Sequence, residues 1–480
     1  MCLGCGSPPH ATRALGRGSC GVPSGRHRFP RPTGEITRGR GGYLLDGRVG
    51  SCWTLLARRS SAVHSSLFRP IPAVDRVLLV SRWRMRILHV VPSYLPAVRY
   101  GGPIFAVHGL CRALAARGHE LQVFTTNIDG PGITPTAIGT PVDLDGIQIR
   151  YFPCPLVRRL YWAPALGRAL HHEIGKLDIV HLHSAFLWPT WAAARAARNA
   201  GVPYVLSPRG MLIKDLIARR SRFAKSAWIY LIERSNVEQA AALHLTSQLE
   251  GTEIERFGWR LPQLAVIPNA TDEPLTQNGK IASDVEAITS QQPLVLFLGR
   301  LTWKKGLDRL LRAFAGTQAG MLAIVGTDDE NFASQLVKLA AELRIADRVR
   351  ILPRTVIGSD KERLFAAARL FVLPSYSENF GNTVLEAMRR GVPVVVTPEV
   401  GAAEIVRKSG SGLVVAGDPE PLGSAIRLLT ADLSLARSMG EAGRGYSAAH
   451  FTWDHIATQM EDLYNSLKHR DCELDADAKC

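Results

Sequence analysis

The residues best suited to chemistry lie in one stretch, SYSENFGNTVLEAMRRG at 375–391. It sets two carboxylates, Glu378 and Glu386, on either side of a turn at Gly381. Upstream, the apolar run 370–374 reads as a buried strand, and downstream the spacing predicts a helix for which Asn382 is a suitable N-cap. Strand, tight turn and helix start together make an anion seat, because free N–H groups and the helix dipole both favour negative charge there. The carboxylates suit neutral hydroxyls, whose O–H groups they accept. A solvated helix with two incidental acids is the plainer alternative.

Four further segments carry candidate groups. In GRLTWKKGL, 299–307, Arg300 and Lys305 flank a loop after a strand, with Gly299 before it and a helix opening at Gly306. Two cations beside a helix start are what a diphosphate needs, although a solvated loop reads the same way and no P-loop pattern is present. Gly101 and Gly102 precede a Pro-started helix and let a ligand approach backbone N–H groups. In DIVHLHS, 178–184, His181 and His183 share one strand face. A metal reading there lacks a third ligand; one imidazole reads as structural, and His183, at the strand's carboxyl end, as lining a cleft. Arg209 stands at another strand end, a place from which it could meet an anionic acceptor. Lys214, Arg219, Arg220, Arg222 and Lys225, interleaved with Phe223, Trp228 and Tyr230, suit a membrane surface or a solvated helix face.

The elements that must position these groups follow a regular alternation from Met85 onward. Strands are expected at 86–91, 120–125, 147–152, 178–183, 203–207, 241–246 and 264–267, then at 294–298, 321–325, 349–352, 370–373, 393–396 and 412–415, with amphipathic helices between them. That is the signature of two α/β domains in series, each a parallel sheet wrapped by helices, with the ligand cleft at the carboxyl ends of the strands. The expected divisions are 85–270, a linker at 271–292, 293–450, a helix at 451–468 with Ile456, Met460, Leu463 and Leu467 as its apolar stripe, and a polar tail at 469–480.

Charge and cysteine narrow the function class. The formal charge is +16, but residues 1–84 hold fourteen Arg, no Lys and three acids, a balance of +11, which leaves +5 for the rest. The regular part is therefore only mildly basic, and a nucleic-acid partner is not expected. Residues 1–84 read as a disordered basic tail: an acid-poor organelle leader or, the favoured reading, an extension upstream of a true start at Met85. The eight Cys are dispersed and form no disulfide framework, and Cys2 and Cys5 are a lone pair without the second pair that a zinc site needs. A reduced compartment is expected, and no apolar run is long enough to cross a membrane.

Taken together, the segments resemble the retaining glycosyltransferases of family 4, the "glycosyl transferase group 1" type, from Met85 to about Leu467. The most specific element is the E-x7-E pair within PSxxExFGxxxLEAMxxGxPV, preceded at the expected distance by GRxxxKKG. The resemblance implies a GT-B fold, two Rossmann-like α/β domains facing across a cleft, with the last helix crossing back to the first domain. It implies that Arg300 and Lys305 neutralise the leaving diphosphate, and that Glu378 holds hydroxyls of the transferred sugar beside the N–H groups of Asn379, Phe380 and Gly381. It places Glu386 on the ribose, Asn382 and Gly299 at the donor, Gly101, Gly102 and Arg209 near phosphate or acceptor, and His183 near the sugar. The implied activity is retaining transfer from a nucleotide-sugar donor to a saccharide or lipid-linked acceptor, in polysaccharide or glycolipid biosynthesis, in the cytoplasm or on the inner face of the membrane. No cofactor and no metal are expected; Asp143-x-Asp145 and Asp475-x-Asp477 match a metal-binding DxD only in turn or tail contexts. Relatives often carry His where this chain has Arg209, which leaves acceptor chemistry open. A nucleotide-sugar epimerase or hydrolase on the same fold, and an idle binding protein, are the competing readings.

Overall fold

The computed structural model describes residues 84–99, 101–215, 217, 228, 232–276, 279–328 and 330–477, with side chains to 468. These residues belong to one compact unit. The tail expected at 1–84 lies outside the described residues except for Arg84, and so do Arg219, Arg220, Arg222, Phe223, Lys225 and Tyr230 of the basic-aromatic stretch.

The first lobe carries β1 (Arg86–Ser93), β2 (Glu120–Thr126), β3 (Ile128–Asp129), β4 (Gly132–Ile133), β5 (Pro141–Leu144), β6 (Ile147–Phe152), β7 (Ile179–His183), β8 (Tyr204–Ser207), β9 (Ala242–Leu245) and β10 (Gln263–Val266). Its main sheet runs β10-β9-β8-β7-β1-β2-β6-β5, parallel except where β5 meets β6. The second lobe carries β11 (Leu294–Leu298), β12 (Met321–Val325), β13 (Val349–Leu352), β14 (Ala368–Leu373), β15 (Val394–Val396) and β16 (Gly412–Val414) in the order β13-β12-β11-β14-β15-β16. Strands covered by helices on both faces read as unbroken apolar runs. LVLFL in β11 and MLAIV in β12 are buried at every position. β5 is not among the strands that the apolar runs predict, because it is a polar, exposed edge.

In both sheets the chain order reverses around the first strand, β1 or β11, and the carboxyl ends beside that reversal are where such sheets receive ligands. His183 ends β7, Gly299 follows β11, and Glu378 follows β14.

The helix Trp453–Asp477 crosses back from the second lobe to the first, where Ile456, Met460, Leu463, Tyr464 and Leu467 join the core beneath β1. Gly109 makes this possible, since a Cβ there would lie 2.2 Å from the Trp453 ring. Arg117 fastens the crossing by donating from Nε and Nη2 to Glu461, both at 2.8 Å. This architecture is the GT-B fold.

Two boundaries differ from the sequence expectation. Residues 271–292 are not all linker: Ser283–Thr289 is a helix whose Val285 and Ile288 enter the second lobe's core, a short apolar pair that Pro274 and Asn278 nearby disguise. The helix expected to end at 468 continues in its backbone to Asp477, so most of the expected tail is helical.

Candidate active site

The loop between β14 and the helix Asn382–Arg389 is built to expose its N–H groups. A bridge to Val400 braces its back: Glu378 N donates to Glu399 O at 3.0 Å, Gly401 N to Glu378 O at 3.0 Å, and Ala402 N to Phe380 O at 2.8 Å. Phe380 is 2% exposed, so its side chain anchors the loop in the core and only its backbone is offered to a ligand. Gly381, at φ 96°, precedes the helix. Asn382 is therefore the first helical residue, not the N-cap that the sequence predicts; the turn needs a left-handed residue, which Gly supplies at no steric cost. Among the described residues, the N–H groups of Asn379, Phe380 and Gly381 donate to no backbone carbonyl.

Lys305 meets Glu378 across this loop. It ends a short 3-10 turn, Trp303–Lys305, and its Nζ donates to Glu378 Oε2 with both side chains largely buried. Gly306 turns the chain at φ 63°, where a Cβ would strike Pro374 O at 2.0 Å. Gly299 is pinned on either side, its own N bonded to Val325 O at 3.0 Å and Leu301 N to Thr327 O at 2.8 Å. Arg300 is exposed and has no ion pair or hydrogen bond among the described residues. Glu386 is partly buried and faces Lys361 Nζ at 3.4 Å.

Asn379 and Asn382 spend their side chains on the first lobe. Asn379 Nδ2 donates to Thr246 Oγ1 at 2.7 Å, and Ser247 Oγ donates to the Asn379 carbonyl at 2.9 Å. Asn382 Oδ1 accepts from Asn269 at 2.8 Å, and its Nδ2 donates to Gly102 O at 3.1 Å. Gly102 stays bare for this contact, because a Cβ would lie 2.9 Å from Asn382 Nδ2; Gly101, at φ 63°, precedes the helix as its cap. The two lobes are thus hydrogen-bonded together at the loop that carries Glu378.

Arg209 completes the chain of contacts. Its φ of 55° turns the side chain back over β7, and buried Glu250 holds the turn by accepting from Gly210 N at 2.7 Å. Arg209 Nη1 donates to Asn269 Oδ1 at 2.8 Å and Nη2 to His183 Nδ1 at 3.4 Å, while its buried Nε has no partner among the described residues. No carboxylate pairs with this guanidinium at salt-bridge distance among the described residues, and burial lowers its pKa to about 10.

His183 does not turn a nitrogen to the cleft. It is 1% exposed, with Nε2 at 2.9 Å from His89 Nδ1 and Nδ1 facing Arg209. His89, His181 and His183 supply the three imidazoles that a metal reading requires, their ligand atoms lying within 4.8 Å of one another. Five of their six ring nitrogens already have partners (each other, Tyr464, His244 and Arg209), and the nearby guanidinium opposes a further cation. Burial, with Arg209 alongside, depresses His89 to about 3 and His244 to about 3 and holds His181 and His183 well below the ordinary range.

The structure thus joins Lys305 to Glu378, Gly102 to Asn382, and Arg209 to His183, and leaves Arg300 and Glu386 apart from those pairs. Sequence reasoning missed Thr246, Ser247 and Asn269, which sit just past the carboxyl ends of β9 and β10, a position that alone signals them. It also missed Lys361 and His89, for which no local signal exists.

The chain matches the family described as "Glycosyl transferases group 1" over residues 280–446, and a "Glycosyl transferase 4-like domain" over residues 101–270. Relatives include an uncharacterized glycosyltransferase of Methanocaldococcus jannaschii, 26% identical over 79% of this chain and 98% of its own length. Another is a D-inositol 3-phosphate glycosyltransferase of Xylanimonas cellulosilytica, 28% identical over 77% of this chain and 93% of its own. Solved structures with the same fold include sucrose-phosphate synthase from Thermosynechococcus elongatus, at TM-score 0.64, 24% identity, 80% of this chain and 99% of that one. HepE from Anabaena in complex with UDP-glucose follows, at TM-score 0.62, 20% identity, 80% of this chain and all of that one.

Proposed function

From the premise that this chain belongs to the group 1, family 4 glycosyltransferases, enzymes that transfer sugars, we propose that it moves a sugar from a nucleotide-sugar donor to a saccharide or lipid-linked acceptor with retention of anomeric configuration. The observation that carries this reading is the buried ion pair of Lys305 with Glu378 under a lobe-to-lobe junction. A donor diphosphate exchanges into that pair. Lys305 turns to the phosphate, and Glu378 is released to accept sugar hydroxyls beside the N–H groups of 379–381. Arg300, without a partner among the described residues, adds the second cation. Glu386 accepts the ribose hydroxyls, with Lys361 holding its carboxylate in place.

Bond breaking sends the anomeric C–O electron pair to the β-phosphate oxygen, where fixed cations and N–H groups meet the developing charge. The acceptor oxygen bonds to the anomeric carbon on the face the nucleotide leaves, and its proton passes to the departing phosphate. This route asks for no metal and no separate strong base. Arg209, with no carboxylate at salt-bridge distance among the described residues, faces an acidic group on the acceptor. The product belongs to surface polysaccharide, exopolysaccharide or glycolipid synthesis, on the cytoplasmic side of a membrane. No described helix is long and apolar enough to span one.

A donor panel tests the reading. The full chain is incubated with nucleotide sugars, UDP-glucose first because HepE binds it, with and without lipid and oligosaccharide extracts. Nucleotide release that requires acceptor, with the product's anomeric coupling matching the donor's, supports it. Release without acceptor, or an inverted product, refutes transfer or retention respectively.

A further inference from the structure

The column of imidazoles beneath Arg209 allows its proton positions to be worked out from its two ends. A carbonyl only accepts and a guanidinium only donates. At one end Ile267 O lies 2.9 Å from His244 Nε2, so that nitrogen carries the proton and His244 Nδ1 is the acceptor. His244 Nδ1 therefore takes its bond from His181 Nε2 at 3.2 Å, and His181 Nδ1 accepts from the Tyr464 hydroxyl at 2.7 Å. At the other end Arg209 donates to His183 Nδ1 at 3.4 Å, which puts the His183 proton on Nε2. That proton is given to His89 Nδ1 at 2.9 Å, and the proton of His89 is left on its Nε2.

Both ends thus impose the same tautomer, and one defect remains. His89 Nε2, in a residue 0% exposed, has no partner among the described residues. A buried N–H without an acceptor is unfavourable. Reversing the tautomers would be worse, because it would set His183 Nδ1–H against the guanidinium N–H. The column holds its defect in the place where it leaves Arg209 with an acceptor.

We propose that His89, which comes from a different strand and lies 94 residues from His183, is a positioning residue for Arg209. By accepting from His183 Nε2–H it holds His183 as an acceptor, and His183 with Asn269 aims the guanidinium at the junction of the lobes. Asn269 donates in turn to Asn382 on the other lobe, so the aim of Arg209 is tied to the loop that carries Glu378. The consequence for catalysis rests on the glycosyl-transfer reading; the tautomer assignment does not.

The test has two arms. Two-bond proton–nitrogen correlation on the full chain, labelled at histidine, reads tautomers directly, and His89, His181, His183 and His244 are expected as neutral Nε2–H rings. A proton on His183 Nδ1 in the wild type overturns the proposal whatever the activity. In the kinetic arm, His89→Phe keeps a ring but removes the acceptor, and His89→Asn places an amide oxygen near the site of Nδ1. With a donor and acceptor pair found by the panel, His89→Phe is expected to lower kcat about tenfold to a hundredfold, with donor KM within about twofold, and His89→Asn to recover most of it. Unchanged kcat in folded His89→Phe, or equal loss in both variants, overturns the proposal. Should neither variant fold by circular dichroism, the wild-type tautomers decide, and they do so even if no donor is turned over.

Discussion

Gly326→Ala is a severe test of how the loop that carries Arg300 and Lys305 is held. Gly326 follows β12 at φ 150°, outside the range an L side chain readily adopts, and a Cβ there would sit 1.9 Å from Gly299 O. Real Cβ contacts stay beyond 3.0 Å, so the two backbones must part by more than an ångström. The loop cannot yield freely, because Gly299 N and Leu301 N are both bonded to the strand end beside Gly326, at 3.0 and 2.8 Å. Losing one of those bonds costs about 0.5–1.5 kcal/mol. The strained φ adds about 1–3 kcal/mol, so a destabilisation of about 1.5–4.5 kcal/mol is expected. A shift of that size next to Arg300 and Lys305 should weaken nucleotide binding by up to about a hundredfold. Urea unfolding followed by tryptophan fluorescence measures the first effect, and calorimetric titration with UDP, GDP and ADP the second. A variant with wild-type midpoint and wild-type affinity for the preferred nucleotide would show that the Gly299 loop is not clamped as described.

Lys305→Met should reduce donor affinity by about 10–100-fold through loss of a charge-assisted bond, measured by titration with the free nucleoside diphosphate. Gly109→Ala should displace Trp453 and expose the interface between the last helix and Gly102–Ala116, seen as faster hydrogen exchange in 453–467. Acid should destabilise the first lobe. His89 and His244 titrate at about 3 when folded but near 6.5 when unfolded, so the unfolded state binds more protons below 6.5 and stability falls as pH falls towards 3. Glu233 acts in the opposite sense, because burial raises it from 4.5 to about 7 and acidification relieves it over that window. Glu233→Gln should therefore lose about 2 kcal/mol more than wild type between pH 7.5 and 5.5 by urea unfolding; an equal loss in both proteins contradicts the assignment.

Which parts of the molecule were legible in the sequence depends on how locally they are encoded. Buried parallel strands announce themselves as apolar runs, and most of those expected match the structure to within a residue or two. The helix Leu433–His450 escapes that reading because its buried face is Ala436, Gly440, Gly443 and Ser447. Small residues are needed there, since a Cβ on Gly440 would meet Gly391 O at 2.0 Å, and they leave no hydrophobic period to detect. Within the site, Glu378, Lys305 and the helix start are visible as a motif. Their apposition is not, because the two residues are 73 apart in sequence and meet only when β11 and β14 pair. Asn379 and Asn382 read as donor-binding polar residues, yet their partners Thr246, Asn269 and Gly102 come from the other lobe. His181 and His183 share a face by alternation alone, whereas His89 and His244 reach that face through sheet register.

The proposed exchange of the donor diphosphate into the Lys305–Glu378 pair is measured most directly by acceptor-dependent nucleotide release from wild type and Glu378→Ala, with the donor identified by the panel. Glu378→Ala is expected to fold, still bind the nucleoside diphosphate through Lys305 and Arg300, and transfer sugar at least about a hundredfold more slowly. Transfer at the wild-type rate, with binding intact, would contradict the exchange.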